Sequence, residues 1–338
     1  MSFEVGGVLM DWVDQDKASS VVIIGAGGSA DFGIPLGREV LNKAIDMSRD
    51  IAGRFKKDLY PFGQPDSTVG PDQLPHSALT KVLQPLGSID PIQFAEDIAA
   101  TSSQTVDNFA LENPRYADAA RILSTAVLAP NIFEIERKVA QRRRLHRLYT
   151  TRSGQAPNWI DLFISVVKEK IRQHGKSNWT IISFNYDAIM ENHVRSRWKA
   201  DPVHGEFDEI FEFLYPYGQF KPEGRFLRAR DLVAALAPSI RFAHEIDRYD
   251  QVLNLCWSRV FRATEIYILG FACSLQNCEA IGLMTDKYDR SCKVVAQNFD
   301  NNRVLNNRLA AVGAESHDIF SGSCSAMIDS GFFGELPT

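Results

Sequence analysis

The stretch Val21-Val22-Ile23-Ile24-Gly25-Ala26-Gly27-Gly28-Ser29-Ala30-Asp31-Phe32-Gly33-Ile34-Pro35 decides how this chain is read. It opens as a short apolar, β-branched run that ends in glycine, the pattern of a strand buried on both faces. A glycine-rich turn directly after such a strand lets backbone N–H groups approach a pyrophosphate without Cβ clashes. Gly25, Gly27 and Ala30 satisfy the generic G-x-G-x-x-G/A fingerprint of dinucleotide binding. A hydride-transfer site of that kind also needs an acidic residue at a second strand end, roughly 20 positions on. Asp46 stands near that distance, but within the helical stripe Val40, Leu41, Ala44, Ile45, Met47, Ile51, so dehydrogenase organisation loses ground.

Outward from this segment, further β-type runs are Trp179-Thr180-Ile181-Ile182-Ser183-Phe184, Ile266-Tyr267-Ile268-Leu269 and Lys293-Val294-Val295-Ala296, with a weaker one at Phe211-Glu212-Phe213-Leu214-Tyr215. Helical periodicity fills residues 187–197, 249–262, 277–287 and 302–311. Strand alternating with helix predicts an α/β fold, with a Rossmann-like, mainly parallel sheet and helices on both faces. Residues 56–176 read differently. A Pro/Gly-rich loop (Tyr60-Pro61-Phe62-Gly63-Gln64-Pro65, then Gly70-Pro71) precedes helical patterns at 91–101, 116–128, 132–149 and 159–173, with no strand pattern. The simplest organisation is one domain over 1–338 that carries 56–176 as a mostly helical insertion.

Composition bounds the rest. A chain of 338 residues with 45% hydrophobic and 23% charged residues is globular, and its net charge of −5 argues against nucleic acid as the main ligand. No apolar run reaches the roughly 18 residues of a membrane span, and Met1-Ser2-Phe3-Glu4-Val5 lacks the charge and hydropathy pattern of a secretory signal. A cytoplasmic location is therefore expected. The five cysteines (Cys256, Cys273, Cys278, Cys292, Cys324) form no C-x-x-C pair, and His146, His174, His193 and His244 show no metal-ligand spacing, so no metal is expected. The i,i+5 spacing of Cys273 and Cys278 suits packing better than a metal knuckle or a redox pair. The basic run Arg137-Lys138, Arg142-Arg143-Arg144, Arg147, Arg152 admits a nucleic-acid or acidic-partner contact; the apolar stripe Ile132, Ile135, Val139, Leu145, Leu148 favours a solvated helix face.

The longer string Gly25-Ala26-Gly27-x-Ser29-x-x-x-Gly33-Ile34-Pro35 resembles the signature of the sirtuin superfamily. Ser183-Phe184-Asn185-Tyr186-Asp187 resembles that family's Asn-x-Asp element, in the Asn-Tyr-Asp form of its bacterial sirtuin-like group. Leu269-Gly270-Phe271-Ala272-Cys273 looks like its later Gly-aromatic turn, and Val294-Val295-Ala296-Gln297-Asn298 ends in an asparagine that would contact the adenosine end. The resemblance implies NAD or ADP-ribose as ligand. It places Gly25, Ala26, Gly27, Ser29, Gly33, Ile34, Pro35, Arg38, Gly270, Phe271 and Asn298 at the cofactor, with Asn185 and Asp187 at the reacting ribose.

Departures from the family pattern are equally informative. Leu36-Gly37-Arg38 stands where the family carries Asp-Phe-Arg. Leu214-Tyr215-Pro216-Tyr217-Gly218 puts Tyr217 at the position of the family's catalytic histidine, and a phenol with a pKa near ~10 is a poor base at neutral pH. A His-Gly pair does occur, at His204-Gly205, leaving His204 and Tyr217 as alternatives. The four-cysteine zinc module of the deacylases is absent, which disfavours lysine deacylation. What remains implied is the non-deacylating group, which hydrolyses NAD to nicotinamide and ADP-ribose, often in bacterial anti-phage defence, alone as a homo-oligomer or with an effector protein. The alternative is a catalytically weak NAD or ADP-ribose sensor that acts through a partner.

Overall fold

The apolar run around Val22 becomes β1 (Ser19–Ile24), a central strand of a six-stranded sheet in the computed structural model, which describes residues 19–30, 32–56, 89–140, 159–175, 178–198, 203–221, 229–245, 250–284 and 292–331. The other strands are β2 (Asn178–Ser183), β3 (Phe211–Leu214), β4 (Glu265–Leu269), β5 (Lys293–Gln297) and β6 (Ile319–Phe320). Every pairing is parallel and the order is β3-β2-β1-β4-β5-β6, the doubly wound arrangement. The expected α/β, Rossmann-like class is what the chain adopts.

Side chains alternate across the sheet with a period of two, so each strand feeds two cores. Val22, Ile24, Ile181, Tyr267, Leu269 and Val295 lie on one face, whereas Val21, Ile23, Ile182, Leu214, Ile266, Ile268, Val294 and Ala296 lie on the other. Burying each Val, Ile or Leu side chain is worth about 1.5–3 kcal/mol, which is why both faces must be covered.

The first face is covered mainly by helices between β1 and β2: α1 (Ala26–Ala30), α2 (Gly37–Lys56), α3 (Pro91–Ala100), α4 (Val106–Glu112), α5 (Ala117–Ala140) and α6 (Trp159–His174). After β2 come α7 (Ile189–Arg197), α8 (Phe207–Ile210) and, beyond β3, α9 (Ala229–Leu236), all contributing to the same core. The opposite face takes α10 (Gln251–Arg262), α11 (Leu275–Ala280) and α12 (Arg303–Ala311). Last, α13 (Cys324–Asp329) returns to the first. Helix starts follow the residues: Asp90, Thr105, Asp250, Ser274, Asn302 and Ser323 each accept a backbone N–H of the first turn.

Three differences from the sequence expectation have physical causes. Pro130 was expected to divide two helices, yet α5 runs through it, because Ala126, Val127, Leu128, Ala129 and Ile132 are all buried and their packing outweighs one lost hydrogen bond. The helix expected over 277–287 stops at Ala280, where Gly282 (φ +69°) turns left-handed and the Leu283 N–H donates to the Cys278 carbonyl. And α4 forms between the helical patterns at 91–101 and 116–128, where Thr105 caps it by accepting the Asn108 N–H and Val106, Phe109 and Ala110 are buried. The Pro/Gly-rich loop and the side chains of the basic run lie outside the described residues. No described helix is long and apolar enough to cross a membrane.

One side chain links the helical layer to the glycine turn. Trp159, at the start of α6 and 1% exposed, donates its indole N–H to the Gly28 carbonyl at 3.0 Å. Trp159→Phe keeps most of the ring's burial and orphans that carbonyl, so a loss of about 1–3 kcal/mol is expected in urea unfolding.

Candidate functional site

Parallel strands end on the same edge, so the turns after β1, β2 and β4 meet there. The Gly25 N–H donates to the Leu269 carbonyl at 3.0 Å and the Gly27 N–H to the Gly270 carbonyl at 2.9 Å. Backbone touches backbone: a Cβ on Gly25 would lie 2.6 Å from the Gly270 oxygen, and one on Gly270 (φ +57°) would lie 2.1 Å from the Gly28 nitrogen. The expectation that the Gly25 and Gly27 amides hold phosphate therefore meets a different arrangement, since both amides are occupied by β4 carbonyls. The glycines are required by this crossing. Gln297, at the end of β5, secures it from the other side. Its Oε1 accepts the Gly270 N–H at 2.8 Å and its Nε2 donates to the Gly322 carbonyl at 2.6 Å.

The crossing leaves Ser29 on α1 facing the turn after β2. The Asn185 carboxamide donates to the Ser29 Oγ at 2.8 Å and to the Gly25 carbonyl at 3.0 Å. The Ser29 hydroxyl in turn donates to Asp187 Oδ2 at 2.9 Å, and Asp187 Oδ1 accepts the Ile189 N–H at 3.2 Å, opening α7. All three side chains are buried. Burial pushes the Asp187 carboxyl above its ordinary value, against the pull of the Ser29 and Ile189 bonds. Behind it, Glu136 of α5 accepts the Ala188 N–H at 3.1 Å. Its carboxyl is pushed up to about 7 by burial, with the charges of Asp187 and Glu191 adding to the effect and the Ala188 bond opposing it. Hydroxyl, carboxamide and carboxylate groups of this kind suit ribose hydroxyls and a carboxamide-bearing ring better than they suit phosphate.

Tyr217 closes one side. Phe184 meets its ring edge-on at 5.1 Å and stacks on Phe271 at 4.6 Å, so the aromatic turn after β4 and the loop after β3 share a wall. The Tyr217 hydroxyl donates to the Asn277 carboxamide of α11, and burial pushes its pKa further above the ordinary 10. The loop is fixed by backbone: the Phe220 N–H donates to the Tyr186 carbonyl at 2.8 Å and the Arg241 N–H to the Tyr217 carbonyl at 3.0 Å.

The expected site residues thus divide. Gly25, Gly27, Ser29, Asn185, Asp187, Gly270, Phe271 and Tyr217 converge at this edge, with Ala26 exposed beside them. Gly33 (φ +84°), Ile34 and Pro35 form the turn from α1 to α2, with Ile34 and Pro35 buried. Arg38 points elsewhere, donating to the Ser103 carbonyl at 2.7 Å and tying α2 to the helical layer. Asn298 does not reach the edge as a free amide. Fully buried, it donates to the Asn302 carbonyl at 2.8 Å and Asn306 Oδ1 at 2.7 Å, closing the turn into α12. His204 is not brought to the cluster. It packs against Trp198, which meets Phe211, and Phe211 pairs with Trp179 at the amino-terminal edge. Six residues of strand at about 3.3 Å each put that edge roughly 20 Å from Asn185. Cys273 (φ +46°), three residues past Gly270, and Cys278 are both buried. Among the described residues no group of three or more His, Cys, Asp or Glu side chains could hold a metal ion.

Gln297 and Glu136 carried no motif. The strand-end rule points to Gln297 as readily as to Asn298, but β-strand parity decides which one faces the crossing; Glu136 lies in a helix with no local cue.

No protein-family model and no curated protein matches this chain. Among solved structures, a mutant Sir2 homologue complexed with 2′-O-acetyl ADP ribose aligns over 94% of this chain and 91% of its own at 14% identity, with a TM-score of 0.42. A Sir2 homologue complexed with NAD aligns over 94% and 89% at 13% identity, with a TM-score of 0.41.

Two outcomes test this geometry. Gly270→Ala combines left-handed strain of about 1–2 kcal/mol with overlap of about 1–3 kcal/mol, so thermal unfolding is expected to shift clearly downward. Folded Glu136 holds its proton up to about pH 7, whereas the unfolded side chain releases it near 4.5, so its contribution to stability falls as pH rises through that window. Glu136→Gln keeps the acceptor for Ala188 and is expected to gain stability over the native chain at pH 8, on the order of 2 kcal/mol, and to lose that advantage at pH 5. Urea titrations at the two pH values read the difference.

Proposed function

We propose that this protein binds NAD at the carboxyl edge of its sheet and hydrolyses it to nicotinamide and ADP-ribose. The observation that supports this is the buried Ser29–Asn185–Asp187 constellation, in which a carboxamide and a carboxylate are locked onto one hydroxyl at the meeting point of three strand ends. Cleavage breaks the bond between ribose C1′ and the pyridinium nitrogen, whose electron pair leaves with neutral nicotinamide while positive charge spreads over C1′ and the ring oxygen. Asn185 orients a ribose hydroxyl or the attacking water, and the Asp187 carboxylate favours the developing positive charge. Depletion of NAD during phage infection is the biological role this activity would serve, triggered by a partner protein or by self-assembly.

A second reading, a nucleotide sensor without turnover, is favoured by one observation: the Tyr217 hydroxyl is bound to Asn277 and its proton is held more tightly than usual, so it supplies no base. Incubation with NAD and chromatography for nicotinamide separates the two. Release by the native chain is expected, with a loss of about 100-fold or more in Asn185→Ala. NAD bound but intact would leave the sensor, and release unaffected by Asn185→Ala would overturn the assigned role of Asn185. Release only with an acylated peptide present would instead indicate a deacylase.

A further inference from the structure

A second polar cluster gathers where the turn after β2 enters α7, and NAD hydrolysis as proposed above does not use it. Ala188 is the N-cap of α7 and has no side-chain oxygen to offer the first turn. Glu191 stands three residues on, where a capping-box glutamate reaches back to the N-cap N–H. Here Glu136 of α5 takes that N–H instead, at 3.1 Å. The Glu191 carboxylate turns to the loop after β3, where its Oε2 accepts the Tyr215 hydroxyl at 3.1 Å and lies 3.5 Å from Gln219 Nε2. Positions three apart on a helix are neighbours, so both carboxylates attend the same turn of α7.

Gln219 is the exception in this cluster. It is 7% exposed, and among the described residues no hydrogen bond reaches its Oε1. A buried acceptor left without a donor opposes folding. The reverse orientation of the carboxamide gives no relief, because it sets oxygen against the Glu191 carboxylate. The backbone is fixed on both sides. The Gly218 N–H donates to the Tyr215 carbonyl at 3.1 Å, and a Cβ on Gly218 (φ +86°) would lie 1.9 Å from the Ser239 carbonyl oxygen. The Phe220 N–H donates to the Tyr186 carbonyl at 2.8 Å. Gln219 is thus held between two anchored neighbours, with its free oxygen on the amide that meets Glu191.

Three acceptors come from three elements: Glu136 from α5, Glu191 from α7 and Gln219 from the loop after β3. Such a set repels an anion. A guanidinium pairs best with the two oxygens of one carboxylate, and Arg195, 3.6 Å from Glu191 and 3.1 Å from Asp208, already offers one there. A primary ammonium instead carries three N–H donors on a narrow alkyl stem, one for each acceptor. The Glu191 side chain is 24% exposed and Glu136 is half-buried, so the rim is open to solvent. We propose that Glu136, Glu191 and Gln219 form a binding site for a primary alkylammonium group, at the start of α7. The site stands independently of NAD hydrolysis, and its occupation involves no covalent step.

The test titrates the native full chain at pH 8, above the value of about 7 to which burial pushes the Glu136 carboxyl. The probes are 1,4-diaminobutane, Nα-acetyllysine N-methylamide with its side-chain ammonium free, tetramethylammonium and Ca²⁺. Binding is read by ¹⁵N–¹H NMR at the Gln219 side-chain amide and at the backbone amides of 186–191. A primary amine is expected to bind with a Kd of about 1 mM or tighter, and tetramethylammonium, which has the charge but no N–H, is expected to leave the spectrum unchanged. A response to diaminobutane alone assigns the site to a free amine; a response to the lysine derivative assigns it to a lysine side chain. Gln219→Met keeps the side-chain volume and removes the acceptor, and Glu191→Gln removes a charge. Each is expected to weaken amine binding about tenfold, and Gln219→Met is expected to unfold at no lower urea concentration than the native chain. An equal response to tetramethylammonium, saturation by Ca²⁺ without a response to either amine, or no response to any probe overturns the proposal. So does a Gln219→Met chain that binds the amine as the native chain does. If Gln219→Met fails to fold, Glu191→Gln decides, and native-like amine binding by it overturns the proposal.

Discussion

Gly25 and Gly27 donate to the Leu269 and Gly270 carbonyls at 3.0 and 2.9 Å, and the candidate site depends on that crossing. A strand-end turn normally presents its amides to solvent or ligand. Here the turns after β1 and β4 press together without side chains between them, and Gln297 and Trp159 hold the contact from β5 and α6. The consequence is positional: α1 has only five residues, and with its base fixed Ser29 has one place to put its hydroxyl, between Asn185 and Asp187.

Around that fixed point the protein gathers carboxylates on a poorly solvated edge. Asp187 and Glu136 both hold protons more tightly than free side chains do, and burial is the largest cause in each case. Burying such groups opposes folding, because the charged form loses its hydration. Structures retain clusters of that kind where chemistry uses them. The opposing stabilisation comes from the two apolar cores on either face of the sheet.

The legibility of the site in the sequence follows from how local each determinant is. Strand, turn and cap are short-range, so β1, the glycine turn, the Asn185–Asp187 turn and Gly270 could be read from consecutive residues. Asn298 shows the limit: a strand-end asparagine fits both a ligand contact and a turn, and burial against Asn302 and Asn306 selects the turn. His204 shows another, because sequence distance from Asp187 says nothing about which edge of a parallel sheet a loop joins. Pro130 shows a third, where packing along α5 overrides a local break signal.

By itself the sequence determined the parallel α/β architecture, through strands apolar enough for burial on both faces, and it placed Ser29, Asn185 and Asp187 in segments that directly follow those strands. Only the tertiary structure decided that the Gly25 and Gly27 amides donate to the Leu269 and Gly270 carbonyls, that Gln297 and not Asn298 secures the edge, and that the helical layer brings Glu136 toward it. The reason is range: hydrophobic period and turn chemistry act over a few residues, whereas these contacts join positions from 25 to more than 240 apart in the chain, set by how strands and helices seat on one another.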